Sequence, residues 1–405
     1  MPLFSPDFVS IDGYPTIEPS LRLDFANARA LDPRITFTRA STATYVGANG
    51  LIKTAGEDEA RFDHDPATGE SLGLLIEESR TNLITQSGDI SQFSQATPNN
   101  QTLTANAAVA PDGTTTATRY TTNTSTGNNL QWIYKQFSGS YSNVTVTGSF
   151  WARGDATKTL TAHITDGIAG TSYNYTVTTE WQRFTFTKTQ NTGAAVAGLY
   201  PVFISNEPAG LNIYLWGAQL EVGSFPTSYI PTSGSTATRS PDIASITGES
   251  FSSWYNETEG SLVFHGSNQA DASIFGNLNG FVCINDGTSN TRIDFRQRII
   301  NSILSSNGTN VNWNAISTPP NITDITDSSF QKSGMAYSSN NHAQAQNGYL
   351  TRTSTTLLTP LNATRLVLFM RDSQTFPANG VGGHIKQLSY YPKRLTNAQL
   401  QTLTQ

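Results

Sequence analysis

Short runs in which every second residue is apolar recur along most of this chain. A run of that period buries one face of a β-strand and leaves the other face polar. Val144, Val146 and Phe150 alternate with Thr145, Thr147 and Ser149; Leu160, Ala162 and Ile164 follow; then Phe184 and Phe186 alternate with Arg183, Thr185 and Thr187. Thr, Ser, Asn and Gly fill the turns between them. Charged residues are only 13% of the total, roughly half the usual share of about a quarter. Aromatic residues reach 10%, including 15 Tyr and 20 Phe, which is ample for packed cores. The pattern predicts an all-β chain, and strands at this spacing predict sandwiches.

A length of 405 residues exceeds one ordinary domain and predicts two to four. Residues 1–20 hold Pro2, Pro6, Pro15 and Pro19 and read as an extended arm. Residues 21–84 read as a small β module. Within it, Tyr45-Val46-Gly47-Ala48-Asn49-Gly50-Leu51-Ile52 has the form of strand, Asn-Gly turn, strand. Residues 85–240 form a first sandwich, closed by Leu211 to Glu221, whose large residues on both faces suit a strand covered on two sides. The Ser/Thr/Gly/Pro segment Pro231 to Pro241 marks a boundary, and 241–405 form a second sandwich. Its clearest strands are Ser261-Leu262-Val263-Phe264-His265, Leu366 to Met370 and Ile385 to Tyr391. Only the tail reads as helix: Thr396 stands three residues before Gln399 as in a capping box, with Leu395, Leu400 and Leu403 as an apolar face.

A net charge of −6, with Lys and Arg scattered singly, gives no footprint for nucleic acid. No apolar run is long enough for membrane insertion, and the first residues lack a secretory leader, so a role outside a cell would call for a route other than Sec export, such as cell lysis. The one cysteine, Cys283, lies in Phe281-Val282-Cys283-Ile284 and is expected in a strand core.

Three stretches carry a resemblance. Phe37-Thr38-Arg39-Ala40-Ser41-Thr42-Ala43-Thr44-Tyr45-Val46, Arg61-Phe62-Asp63-His64-Asp65-Pro66 and Gly73 through Glu77-Glu78-Ser79-Arg80-Thr81-Asn82-Leu83 resemble a module of bacteriophage tail proteins. Trp216-Gly217-Ala218-Gln219-Leu220-Glu221-Val222-Gly223 with Thr227 to Thr232 is similar to the same proteins, and the region before it resembles a carbohydrate-binding-module jelly roll. From Ile243 the chain is similar to concanavalin or laminin-G sandwiches, chiefly through Gly382 to Tyr391 and Arg394 to Leu400. The resemblance implies a virion protein assembled in the host cytoplasm: a tail fibre or tail-associated protein for host attachment, among other virion proteins, as a homo-oligomer with a trimer favoured. Pro2, Leu3, Phe4 and Phe8 on the arm are then the virion-docking candidates.

Binding of host surface polysaccharide asks for exposed rings beside polar groups. Trp132, Tyr134 and Tyr141 offer them among Asn and Ser, and Trp313 lies in an amide-rich segment. Core packing is the competing role for each ring, and Trp181 and Trp216 are assigned to it. Asp63-His64-Asp65 and Glu77-Glu78 have the composition of a metal or acid-base group. Adjacent strand residues point to opposite faces, however, so a salt-bridge network with Arg61 and Arg80 is the preferred reading. Arg153-Gly154-Asp155 reads as a turn. No nucleophile elbow, zinc-binding helix or phosphate loop is present, and the chain is expected to be no enzyme and to need no cofactor. Structural calcium fits either sandwich type, though no residue locates it. Two alternatives stand beside attachment: a capsid decoration or baseplate component without a ligand, and a polysaccharide depolymerase whose two carboxylates come from distant strands.

Overall fold

The computed structural model describes residues 13–123, 130–269, 280–288, 290–296, 303–311, 314–315, 330–369 and 382–405. The chain is all-β and is built of multiple antiparallel sheets. It divides into two units: residues 37–71 with 77–242, and residues 1–36 with 72–76 and 243–405. The expected module at 21–84 thus contributes to both. Leu21–Asp24 pairs with Gly382–Tyr391 of the second unit, while Ala43–Val46 and Ile52–Ala55 form a two-stranded sheet of their own.

The first unit is built on ten strands: β1 (Ser94–Gln95), β2 (Gln101–Ala108), β3 (Ala117–Thr122), β4 (Leu130–Ser138), β5 (Thr145–Gly154), β6 (Lys158–Thr165), β7 (Gly170–Val177), β8 (Gln182–Thr189), β9 (Val196–Ser205) and β10 (Asn212–Val222). They form two five-stranded sheets, one ordered β7-β6-β9-β4-β1 and the other β8-β5-β10-β3-β2. The alternating residues face inward as their period requires. Leu160, Ala162 and Ile164 from the first sheet meet Val146, Phe150, Ile213 and Leu215 from the second in one buried core. Phe184 and Phe186 pack against its edge.

The closing strand β10 is covered on both faces along half its length. Leu220 joins the core, while Trp216, Gln219 and Glu221 are buried on the other side. Trp216 packs there with Tyr229 and the edge of Trp151, with ring centroids 4.6 and 5.5 Å away. Two glycines make this possible. A Cβ on Gly217 (φ +64°) would meet the Trp151 ring at 2.6 Å, and Gly223 (φ +139°) sits directly beneath the Arg80 guanidinium. The Asn-Gly hairpin forms as expected, with Ala43–Val46 paired to Ile52–Ala55.

In the second unit one sheet runs, in spatial order, Asn314–Ala315, Tyr349–Ser354, His342–Gln346, Gln331–Tyr337, Gly260–Asn268, Gly382–Tyr391 and residues 72–76, with Leu21–Asp24 also paired to Gly382–Tyr391. The other runs Ile243–Thr247, Arg365–Leu368, Gly280–Asn285, Arg292–Arg296, Ile303–Ser306 and Thr309–Asn310. Phe264 of the first sheet meets Phe281 and Phe295 of the second at 5.1 and 5.2 Å. Cys283 is buried in its strand. The tail helix Asn397–Leu403 carries the expected capping box and seats Leu400 on Ala336, Ala343 and Ala345.

Candidate functional site

On the outer face of the sheet β7-β6-β9-β4-β1 five half-buried rings come together: Trp132 and Tyr134 on β4, Tyr200 and Phe203 on β9, and His163 on β6. They stack in two rows. His163, Phe203 and Trp132 form one, with centroids 4.4 and 4.2 Å apart and interplanar angles of 17° and 28°. Tyr200 and Tyr134 form the other at 4.9 Å and 19°. Tyr200 also meets His163 and Trp132 edge-on. Inner ring faces are thereby spent on each other, and the faces that remain lie at the ends of the rows.

At the β1 end, small residues stand beside those faces. Ser94 is the register partner of Tyr134, and Ala96 donates its amide to the Trp132 carbonyl at 3.1 Å. Both are exposed. Half-buried Trp132 and Tyr134 therefore neighbour short, exposed side chains on the edge strand. Polar groups flank the rows: Gln136 donates to the Tyr200 hydroxyl at 2.6 Å, His163 Nδ1 and Ser172 Oγ lie 3.1 Å apart, and Thr161 donates to Asn174 at 3.1 Å. Burial, together with the nearby Lys188 charge, holds the His163 pKa below the usual histidine value.

Trp132 and Tyr134 thus stand on this face. Tyr141 does not: it is 8% exposed and belongs to the core between the sheets, where burial raises its pKa. Its segment Ser138-Gly139-Ser140-Tyr141 reads as polar, yet Tyr141 turns inward because its amide and that of Gly139 are anchored to Ala194 and Ala195. Trp313, Pro2, Leu3, Phe4 and Phe8 lie outside the described residues. Trp216 is buried as expected, whereas Trp181 is half-buried. The Arg153-Gly154-Asp155 tripeptide is not wholly a turn, since β5 runs through Gly154 and Arg153 is a strand residue.

Phe203, Tyr200 and His163 escaped the sequence reading. Alternation from Leu160, Ala162 and Ile164 could have placed His163 outward. Tyr200 and Phe203 are three apart, and only a bulge puts them on one face: Ile133 pairs with Val202 but Lys135 with Leu199.

The acidic candidates form a structural network instead. Glu77 accepts from Arg61 at 2.7 Å and from the Ser228 amide and hydroxyl at 2.7 and 2.6 Å. Asp242 takes Arg39 at 2.9 Å and also bonds Arg61, while Arg239 stands 3.3 Å from Glu77. All five side chains are buried. Burial opposes the Glu77 charge, but Arg239 and Arg61 overcome it and hold its pKa far below the carboxylate range. Burial likewise opposes the Arg61 charge, and Asp242 with Glu77 raises its pKa regardless. Glu78 turns the other way to Arg80, as strand alternation requires. His64 Nδ1 lies 3.1 Å from the Val46 carbonyl, and Asp63 accepts the Val46 amide at 2.6 Å. Among the described residues no group of three or more His, Cys, Asp or Glu is placed to hold a metal ion.

The second unit holds a cavity of about 300 Å³ bounded by Tyr14, Arg22, Val263, His265 and Gln387, with Glu18 as the one acid in its lining. No protein-family model matches the chain, and no curated protein does. Among solved structures it is similar to a CBM4 module at 19% identity, over 32% of this chain and 90% of that one, with a TM-score of 0.23. It is similar to the CBM40 of the Ruminococcus gnavus IT-sialidase at 13% identity, over 37% and 84%, with a TM-score of 0.28. It is also similar to the enzymatically active domain of bacteriophage CBA120 tailspike protein 4 at 15% identity, over 34% of this chain and 21% of that one, with a TM-score of 0.28.

Proposed function

We propose that this chain is a non-catalytic glycan-binding protein of a phage particle, a tail fibre or tail-associated component that holds host surface polysaccharide. The observation that carries the glycan reading is the stacked, half-exposed Trp132 and Tyr134 beside the short, exposed Ser94 and Ala96. A sugar presents an apolar face of C–H groups and a rim of hydroxyls. The first packs on an aromatic face; the second takes the amides and hydroxyls of Gln136, Ser172 and Asn174. The rings arrive already locked by their stacking, so little side-chain entropy is lost when a ligand settles. Several copies on one particle raise avidity by roughly 10² to 10⁴ over a weak single site.

The virion part of the reading rests on the resemblance of residues 37–46, 61–66, 73–83, 216–223 and 227–232 to phage tail modules, with Pro2, Leu3, Phe4 and Phe8 as the docking arm.

The test is retention of the purified chain on host envelope polysaccharide, together with competition against phage adsorption. The double variant Trp132→Ala, Tyr134→Ala should lose both effects while its thermal transition stays cooperative. Wild-type protein that neither binds envelope glycans nor slows adsorption would end the attachment reading, and release of reducing ends from those glycans would replace it with an enzymatic one.

A further inference from the structure

We infer that the opposite face of the same sandwich carries a second site, one for an oxyanion, a carboxylate or phosphate group borne on a saccharide. Three outward residues on neighbouring strands make a row across β3, β10 and β5: Arg119 is the register partner of Tyr214, and Tyr214 of Arg153. The Arg153 guanidinium lies 4.2 Å from the centre of the Tyr214 ring and 5.5 Å from that of Trp181, so one cation stands over two rings. All four side chains are half-exposed. The row begins where the cover over this sheet ends, two residues along each strand from buried Ala117 and Trp216 and from Trp151.

Among the described residues neither arginine makes a salt bridge nor donates a side-chain hydrogen bond, and the Arg119 Nε is buried without a partner. The one acid in the next row, Asp155, accepts from Asn212 at 3.1 Å instead. Two strand spacings put the arginine Cα atoms roughly 10 Å apart, a span across which long guanidinium side chains can converge on one group. Like charges so placed repel, and an oxyanion would relieve that repulsion with paired, charge-assisted hydrogen bonds. The half-exposed rings of Trp181 and Tyr214 beside it offer the carrier ring apolar surface to rest on. In a chain of net charge −6, such a pair of arginines is a local exception to the overall balance.

Affinity electrophoresis of the full chain in native gels decides the matter, with polygalacturonate as the carboxylate probe, a phosphate-bearing mannan as the phosphate probe and dextran as the neutral control. The expected result is retardation in at least one acidic gel and none in dextran; which gel retards identifies the anion. Arg119→Gln and Arg153→Gln should each weaken it about tenfold, the loss of one charge-assisted contact. Arg153→Lys, which keeps the charge and the fold but not the planar fork, should recover only part of the loss. Lys53→Gln, an exposed cation on the hairpin, should leave retardation unchanged. Absence of retardation in both acidic gels, indifference to the arginine variants, or an equal effect from Lys53→Gln each overturns the inference.

Discussion

Glu77→Gln tests the buried ion network directly. Three guanidiniums, Arg39, Arg61 and Arg239, face two carboxylates, Glu77 and Asp242, with every side chain buried. The substitution keeps size and one acceptor oxygen but removes one of the two carboxylates that ion-pair with the three buried cations. Breaking one partner out of a buried ion cluster costs about 3–5 kcal/mol, because the charge left behind is no longer compensated. For a unit of about 200 residues, each kcal/mol moves the melting temperature by roughly 2–4 °C, so a fall of roughly 6–20 °C is expected. Trp132, Trp151, Trp181 and Trp216 all lie in this unit, and fluorescence-detected urea and thermal unfolding therefore report on it. The pH dependence supplies a second check. Because the folded-state pKa of Glu77 is depressed, its contribution is complete above the unfolded value of about 4.3 and is lost as pH falls through the folded value. The gap between wild type and variant should narrow steadily below about pH 4. A loss smaller than about 1 kcal/mol, or a gap independent of pH, would show that the network does not hold the unit together.

Three further outcomes follow from particular contacts. Trp132→Ala removes a half-exposed ring and its stack on Phe203, and should weaken polysaccharide binding at least about tenfold by calorimetry, whereas Tyr141→Phe, altered only in the core, should leave affinity unchanged. His163 should titrate below about 6.5 by NMR, and because its neutral form is the one favoured in the fold, stability should decline as pH falls from about 6.5 toward its folded pKa; a midpoint at or above 6.5 contradicts its packing. Thr396→Ala removes the side-chain acceptor of the tail helix and should cost about 1 kcal/mol in denaturant titration of the second unit, with no effect on binding by the first.

Strand identity was legible because alternation is a local signal. Leu160, Ala162 and Ile164 declare their inward face without help from any distant residue, and the Asn49-Gly50 hairpin and the Thr396 capping box are likewise complete within a few positions. Partnership was less legible. Arg39, Arg61, Glu77, Arg239 and Asp242 are spread over two hundred positions, and no local rule says that Asp242 should receive Arg39 and Arg61 together. The salt-bridge reading of Arg61 and Glu77 came from adjacent-residue geometry, which forbids Glu77 and Glu78 from converging. That rule excluded a metal pair, but it could not supply Asp242 or Arg239.

The aromatic face shows why a site can be harder to read than the sheet that bears it. Period-two reasoning puts Tyr200 and Phe203 on opposite faces, since they are three residues apart. The bulge opposite Tyr134 adds one residue to β9 and brings both rings outward, where they close the stacks begun by Trp132 and Tyr134. Without that irregularity the two β4 rings would stand alone, free to rotate and costly to order on binding. With it, each is fixed against a neighbour, beside Ser94 and Ala96. If the bulge is what makes the site, deleting Pro201 should restore regular pairing, turn one of the two β9 rings inward and reduce binding as much as Trp132→Ala, even in protein that still unfolds cooperatively. Retained affinity in that deletion would mean that Trp132 and Tyr134 need no support from β9.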